Sequence, residues 1–373
     1  MKMKLTAVAV AAALGVPVAA SAAEHDVQVY GKAHVSVDFY SKAEVNDQGR
    51  DSDADDSGIG VSSNSSRIGF KGTHKLNESS NAVIWQYESQ VDIDRTEGTA
   101  LSTRNTFVGL KGGWGKAILG HHDTPLKRAL TKWDPFNETV GEGRTVFGQG
   151  EGGAGQSGDY NERADNAIMY WTPKFGGFQA SAIWSAQQSS GDDSTGDDNE
   201  EGLWGASLEY AGDMFDGWLA YENQMNRDQD DDTGMRASGI FKFGGLGLGL
   251  LWESLDDSGA GKRDGYGVWA SFKLGKWVPK IGYYAVGEWK DQPATGADQT
   301  DSDAAVTSIA LDYRWDKQTK VYFQYSALAQ GDAADFRLGR RGHGDKYRGV
   351  SDSGTGAPYT DPSAFSVGMI YKF

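Results

Sequence analysis

Cysteine is absent from all 373 residues, which excludes a disulfide framework and every cysteine-ligated metal site. Long apolar runs are nearly absent too. Beyond residue 20, every hydrophobic stretch is broken by glycine or charge well short of the roughly 18 residues that a membrane-crossing helix needs, and mean hydropathy is −0.54. Positive charge is also short: 36 basic against 52 acidic residues give a net −16. That balance argues against nucleic acid as a partner, because binding it takes a basic face that neutralises phosphates. The six histidines show no pairing with a neighbouring Ser or Asp that nucleophilic catalysis would need. No enzyme is expected, and no cofactor is implied.

What is present starts with a basic opening, Lys2 and Lys4, an apolar stretch from Leu5 to Ala20, and the small-residue pattern Ala20-Ser21-Ala22. This is the layout of a secretory signal peptide, residues 1–22, cut after Ala22 or Ala23. Residues 23–373 then form one domain. An exported chain of this kind is either soluble or a closed barrel, since in lipid only helices and closed barrels satisfy their own backbone groups.

A period of two decides between them. From Val27 to Tyr40 one face reads Val27, Val29, Gly31, Ala33, Val35, Val37, Phe39, and the other Gln28, Tyr30, Lys32, His34, Ser36, Asp38, Tyr40. One face is apolar and the other wet. Similar alternation recurs from Lys320 to Ala327 and from Phe365 to Phe373, with thirteen further runs between, making sixteen strands. Short links such as Gly244-Gly245 and Asp316-Lys317-Gln318 take turns with long polar ones, among them 41–62, 121–162, 187–201, 256–263 and 330–361. Aromatic residues gather near strand ends, as at Trp85, Tyr87, Tyr170, Trp171, Trp277, Trp289, Tyr313 and Trp315, where amphipathic rings suit a headgroup layer. A soluble β core of this length would bury large aliphatic residues, yet only 38% of the chain is hydrophobic and 51 residues are glycine. The fold class expected is all-β: a 16-stranded antiparallel transmembrane β-barrel with short periplasmic turns and long extracellular loops. Such a barrel belongs in the bacterial outer membrane, in contact with lipid and lipopolysaccharide.

Several stretches resemble the general trimeric porins of Gram-negative bacteria: Val27-Gln28-Val29-Tyr30-Gly31-Lys32-Ala33, Ser66-Arg67-Ile68-Gly69-Phe70-Lys71-Gly72, Arg104-Asn105-Thr106-Phe107-Val108-Gly109-Leu110-Lys111, and the closing segment ending in Phe373. With the leader and the loop alternation, the likeness spans essentially the whole chain. It implies a homotrimer, a third long loop folded into each lumen, and passive diffusion of small hydrophilic solutes and ions. That loop would be residues 121–162, and Asp134-Pro135-Phe136-Asn137-Glu138 looks like its acid-Pro-aromatic tip. One departure is Gly120-His121-His122, where many relatives carry a basic residue after the glycine.

Parity supplies the chemistry of the bore. If Ile68 and Phe70 face lipid, Arg67 and Lys71 face the lumen; if Asn105, Phe107 and Gly109 face outward, Arg104 faces inward. Lys32 lies on the wet face of the first strand. The family's basic cluster matches Lys32, Arg67 and Arg104, while Lys71 rests on parity alone. Opposite them the resemblance sets the loop acids Asp134, Glu138 and Glu142. Opposed charges across a water-filled gap create a transverse field that sieves solutes by size and polarity. The bland alternative is that Arg67 and Arg104 merely satisfy oxygens at a rim, and that the loop acids are ordinary exposed charge.

No metal site is expected: the aspartate runs at 51–56 and 228–232 are followed by glycines, Gly58 and Gly234, that are misplaced for a calcium loop and by no correctly placed bidentate glutamate, and adjacent His121-His122 has no third ligand. Diffuse divalent bridging of loop carboxylates to lipopolysaccharide stays open. Gly244 to Gly249 lacks a phosphate-loop lysine. The nearest rival reading is a solute-specific channel for sugar or phosphate; a membrane enzyme and a secreted carbohydrate-binding protein rank lower. Acidic loops attract cations to the mouth while wall cations favour anions in the constriction, so the sequence leaves the sign of ion preference open.

Overall fold

A computed structural model describes residues 25–41, 44–45, 58–76, 79–94, 101–149, 159–186, 202–225, 230–291, 300–331, 334, 336–339 and 359–373. The expected leader lies outside them. Sixteen antiparallel spans close into a barrel: an eighteen-stranded sheet in which two spans are each made of two segments. The spans are β1 (His25–Tyr40), β2 (Gly58–Ser63 and Arg67–Lys75), β3 (Ala82–Val91), β4 (Leu101–Thr103 and Thr106–Gly112), β5 (Gly115–Asp123), β6 (Arg163–Trp171), β7 (Phe178–Ser185) and β8 (Leu203–Ala211). They continue with β9 (Phe215–Gln224), β10 (Asp232–Phe243), β11 (Leu246–Asp257), β12 (Gly261–Phe272), β13 (Trp277–Val286), β14 (Ala304–Arg314), β15 (Thr319–Gln330) and β16 (Ser363–Lys372).

Each span pairs with its chain neighbours, and β1 closes the ring by pairing with β16, Val37 opposite Val367 and Phe39 opposite Phe365. The terminal residue takes part: Gly31 and Phe373 exchange both backbone hydrogen bonds, at 3.0 and 3.1 Å. Closure removes the free edges that lipid could not satisfy.

Alternation follows the sequence pattern. In β15, Phe323 and Tyr325 are 43% and 50% exposed on the outer surface, while Gln324 and Ser326 are buried on the inner one. The outer apolar residues form the belt that hydrocarbon covers. Near the short-turn end, Trp277, Tyr313 and Trp315 form a chain of tilted and edge-on contacts with centroids 4.7 and 5.5 Å apart, and Phe178, Tyr210, Phe215 and Phe241 form another. Trp171 and Trp289 are not in this girdle. Trp171 takes the face opposite Tyr170 and is buried, and Trp289 lies beyond the end of β13, packed over Arg263 at 4.1 Å.

Three local departures matter. Val35 of β1 faces Ser63 but Lys32 faces Arg67, so β2 holds one extra residue between its segments, with Ser65 at φ 49°. Ser89 of β3 faces Thr103 but Gln86 faces Phe107, which places a second bulge around Arg104-Asn105. Bulges of this kind re-aim the side chains beside them. Finally, the long connection expected over 256–263 shrinks to Ser258-Gly259-Ala260, because β11 and β12 pair as far as Asp257 opposite Gly261.

Candidate pore constriction

The connection after β5 folds back into the barrel. Its root is Asp123, which binds Lys127 at 2.8 Å and Arg163 at 3.1 Å. Thr124 then caps a short helix α1 (Pro125–Thr131) by accepting the Lys127 N–H at 3.2 Å, with Pro125 pre-set for the first turn. The buried face of α1, Leu126, Ala129 and Leu130, rests on the inner wall. There Arg236 and Ser238 of β10 donate to the carbonyls of Leu126 and Ala129, at 2.8 and 2.5 Å. Arg236 is itself held by Glu253 of β11.

Beyond α1 the chain crosses to β13 and β14. Asp134 accepts the Tyr284 hydroxyl at 2.6 Å and the N–H groups of Phe136 and Gly143, both at 2.8 Å. Burial pushes its carboxyl up to about 6, with these three donors opposing the rise only in part. Lys280 donates to Pro135 O and Ser308 to Gly141 O, and the rings of Phe136 and Phe147 meet Tyr284 edge-on. Glu142 accepts the Glu138 N–H at 2.7 Å and is bound by Arg144 at 2.8 Å. Asp134 and Glu142 are thus spent largely on the loop's own turn. Glu138, at φ 65°, stands at the apex of that turn.

Of the three loop acids, Glu138 is the one the described structure brings to the basic wall. It pairs with Lys32 of β1 and with Arg67 of β2, the latter at 3.0 Å. Lys32 and Arg67 are register partners on adjacent strands, so one carboxylate bridges two cations across the sheet. Arg104 is held on its own wall by Glu88 at 2.7 Å. It reaches the lumen by the β4 bulge and not by the parity expected: Val108 and Leu110 are the outward residues of β4, and Phe107 packs inward near His122. Lys71 does face inward, but two positions nearer the short-turn rim, with its ammonium 5.0 Å from the centre of the Tyr30 ring. At the departure Gly120-His121-His122, His121 turns to Asp165 at 2.5 Å while His122 lies edge-on to Trp171, so the two rings do not converge on a ligand.

Glu88 and Tyr30 complete the wall, and the sequence reading had not singled them out. The Tyr30 hydroxyl donates to Glu88 at 2.9 Å across Gly69. A Cβ on Gly69 would sit 2.4 Å from the Tyr30 ring, so the glycine makes room for that contact. Gln86, Glu88 and Gln90 alternate in β3, a signal that parity could have used.

A family model for Gram-negative porins matches residues 6–333. Outer membrane porin protein 32 of Delftia acidovorans is 30% identical over 369 residues, covering 92% of this chain and 93% of that protein. A chitoporin of Vibrio furnissii is 30% identical over 300 residues, covering 70% and 76%. Among solved structures, an anion-selective porin from Comamonas acidovorans superposes with a TM-score of 0.72 at 22% identity, over 94% of this chain and all of the other. With a closed sixteen-span barrel and a match over nearly its whole length, the chain belongs to the Gram-negative porin family, a set of outer-membrane channels.

Proposed function

We propose that this outer-membrane diffusion channel filters small hydrophilic solutes and ions at the third connection, between the loop tip at Glu138 and the wall carrying Lys32, Arg67 and Arg104. The observation that carries the reading is the bridge from Glu138 to Lys32 and Arg67, which ties a loop packed along β10, β13 and β14 to β1 and β2. Asp134 and Glu142 contribute by shaping the turn, and Lys71 adds charge below it. A solute entering this gap meets ionic and amide groups that replace part of its hydration shell. An apolar solute gains nothing there and must displace ordered water. No bond is made or broken in transit, and throughput depends on weak binding.

The outward faces of β1 and β16, with Val29, Val37, Phe39 and Phe365 exposed, are compatible with lipid or with further copies of the chain; assembly as a homotrimer is part of the proposal. The filter is tested by replacing Arg67 and Arg104 together with glutamine and recording in a planar bilayer under a salt gradient. The reversal potential should move toward cation preference; an unmoved potential removes both arginines from the filter.

A further inference from the structure

Below the loop tip, on the side of the short turns, lies a cavity of about 790 Å³. Its roof is the underside of the constriction, including Lys32, Arg67 and Glu138. Its floor is the rim made by the β12–β13 and β14–β15 turns and the end of β16, which contribute Lys273, Lys276, Arg314, Lys317, Lys320 and Lys372. Six cations from three spans and two turns thus surround one space. Lys320 is engaged by Asp312 at 2.8 Å. Among the described residues, no ion pair joins Lys273, Lys276, Arg314, Lys317 or Lys372 to a carboxylate. Asp316 also lines the cavity, accepting the backbone N–H groups of Gln318 and Thr319 at 2.8 and 2.7 Å, so one carboxylate offsets part of this positive charge.

We infer that this inner vestibule is a binding site for multivalent oxyanions, the class of phosphorylated or polycarboxylate solutes. The inference rests on the pore reading above and adds a site to it. A monovalent anion gains from one cation at a time, whereas an anion carrying two or three charges can engage the turns and β16 together. The volume falls within the range of about 300–1,000 Å³ usual for small-molecule sites. All six cations line the cavity, and Lys276 also sets its ammonium 6.0 Å from the centre of the Tyr313 ring at the girdle.

The test uses the whole chain reconstituted in a planar bilayer, inserted from one side, with pyrophosphate as probe and acetate as the monovalent control at matched ionic strength. Pyrophosphate should block chloride current with a half-blocking concentration at least about tenfold lower from the short-turn side, a difference of about 1.4 kcal/mol, and acetate should not block. The triple change Lys273→Gln, Lys276→Gln, Lys317→Gln should raise that concentration about tenfold, and the corresponding three Lys→Arg changes should preserve it. Conductance in 1 M KCl, where charges reach only about 3 Å, verifies that each variant forms an open channel. Equal block from both sides, or a glutamine variant blocked like the parent, overturns the inference while leaving the pore reading in place. A silent bilayer overturns both.

Discussion

Replacing Glu138 with glutamine isolates the bridge on which the filter depends. The change keeps the side chain's size and removes one negative charge from between Lys32 and Arg67. For an ion about 8 Å away, a unit charge is worth about 2 kcal/mol at an effective dielectric near 20. Screening over about 8 Å at physiological salt cuts this to roughly 0.8 kcal/mol. Anion and cation respond with opposite sign, so their relative free energies move by about 1.5 kcal/mol, close to tenfold in permeability ratio toward anions. A planar bilayer with a salt gradient reads this ratio from the reversal potential. A second consequence is structural: Lys32 is only 4% exposed, and removing one partner of a buried pair costs about 3–5 kcal/mol. The tip should detach and the current become noisier. A permeability ratio unchanged within a factor of two, with current as quiet as in the parent, would refute the assignment of Glu138 to the constriction.

Asp134 gives a pH prediction. Its pKa is about 6 in the anchored loop against an ordinary 3.8, so the anchored state binds the proton more tightly and gains stability as pH falls. The gain is complete below 3.8, is lost as pH rises through 6, and amounts to about 3 kcal/mol. Open-channel noise should therefore decrease between pH 7 and pH 5 in the parent and lose this dependence in Asp134→Asn; parallel noise profiles would contradict it. Gly69→Ala should displace Tyr30 from Glu88, because the added methyl would lie 2.4 Å from the ring; a loss of about 1–3 kcal/mol is expected in urea titration of folding into liposomes. Leu250→Arg, on the outer face of β11, should cost about 2–4 kcal/mol in the same titration. A substitution there that folds as well as the parent would remove β11 from hydrocarbon.

Strands, their number and the rhythm of their connections were legible because hydrocarbon and water impose opposite demands on successive residues. Val27, Val29, Val37 and Phe39 could face only one of them. The bulges were not legible. One extra residue near Ser65 or Arg104 leaves composition unchanged while reversing which neighbours face inward, and so the outward set assigned to β4 was inverted even though Arg104 itself points into the lumen. Within the loop, sequence gave no means of ranking the acids. Asp134 bonds to its own turn and to Tyr284 of β13, Glu142 to the loop itself, and Glu138 to Lys32 and Arg67, a division set by the turn that places Glu138 at φ 65°. The vestibule lysines escaped notice for a related reason: on turns separated in sequence, Lys273, Lys276 and Lys317 look like ordinary solvated charge until the barrel brings them around one cavity.

The central claim, that each span shows one face to lipid and the other to the lumen, can be measured cleanly because the chain has no native cysteine. Single cysteines placed in β15 and labelled with a fluorophore should be quenched by brominated lipid at Phe323 and Tyr325 and not at Gln324 and Ser326. Uniform quenching along the strand, or none at any of the four, would contradict the account.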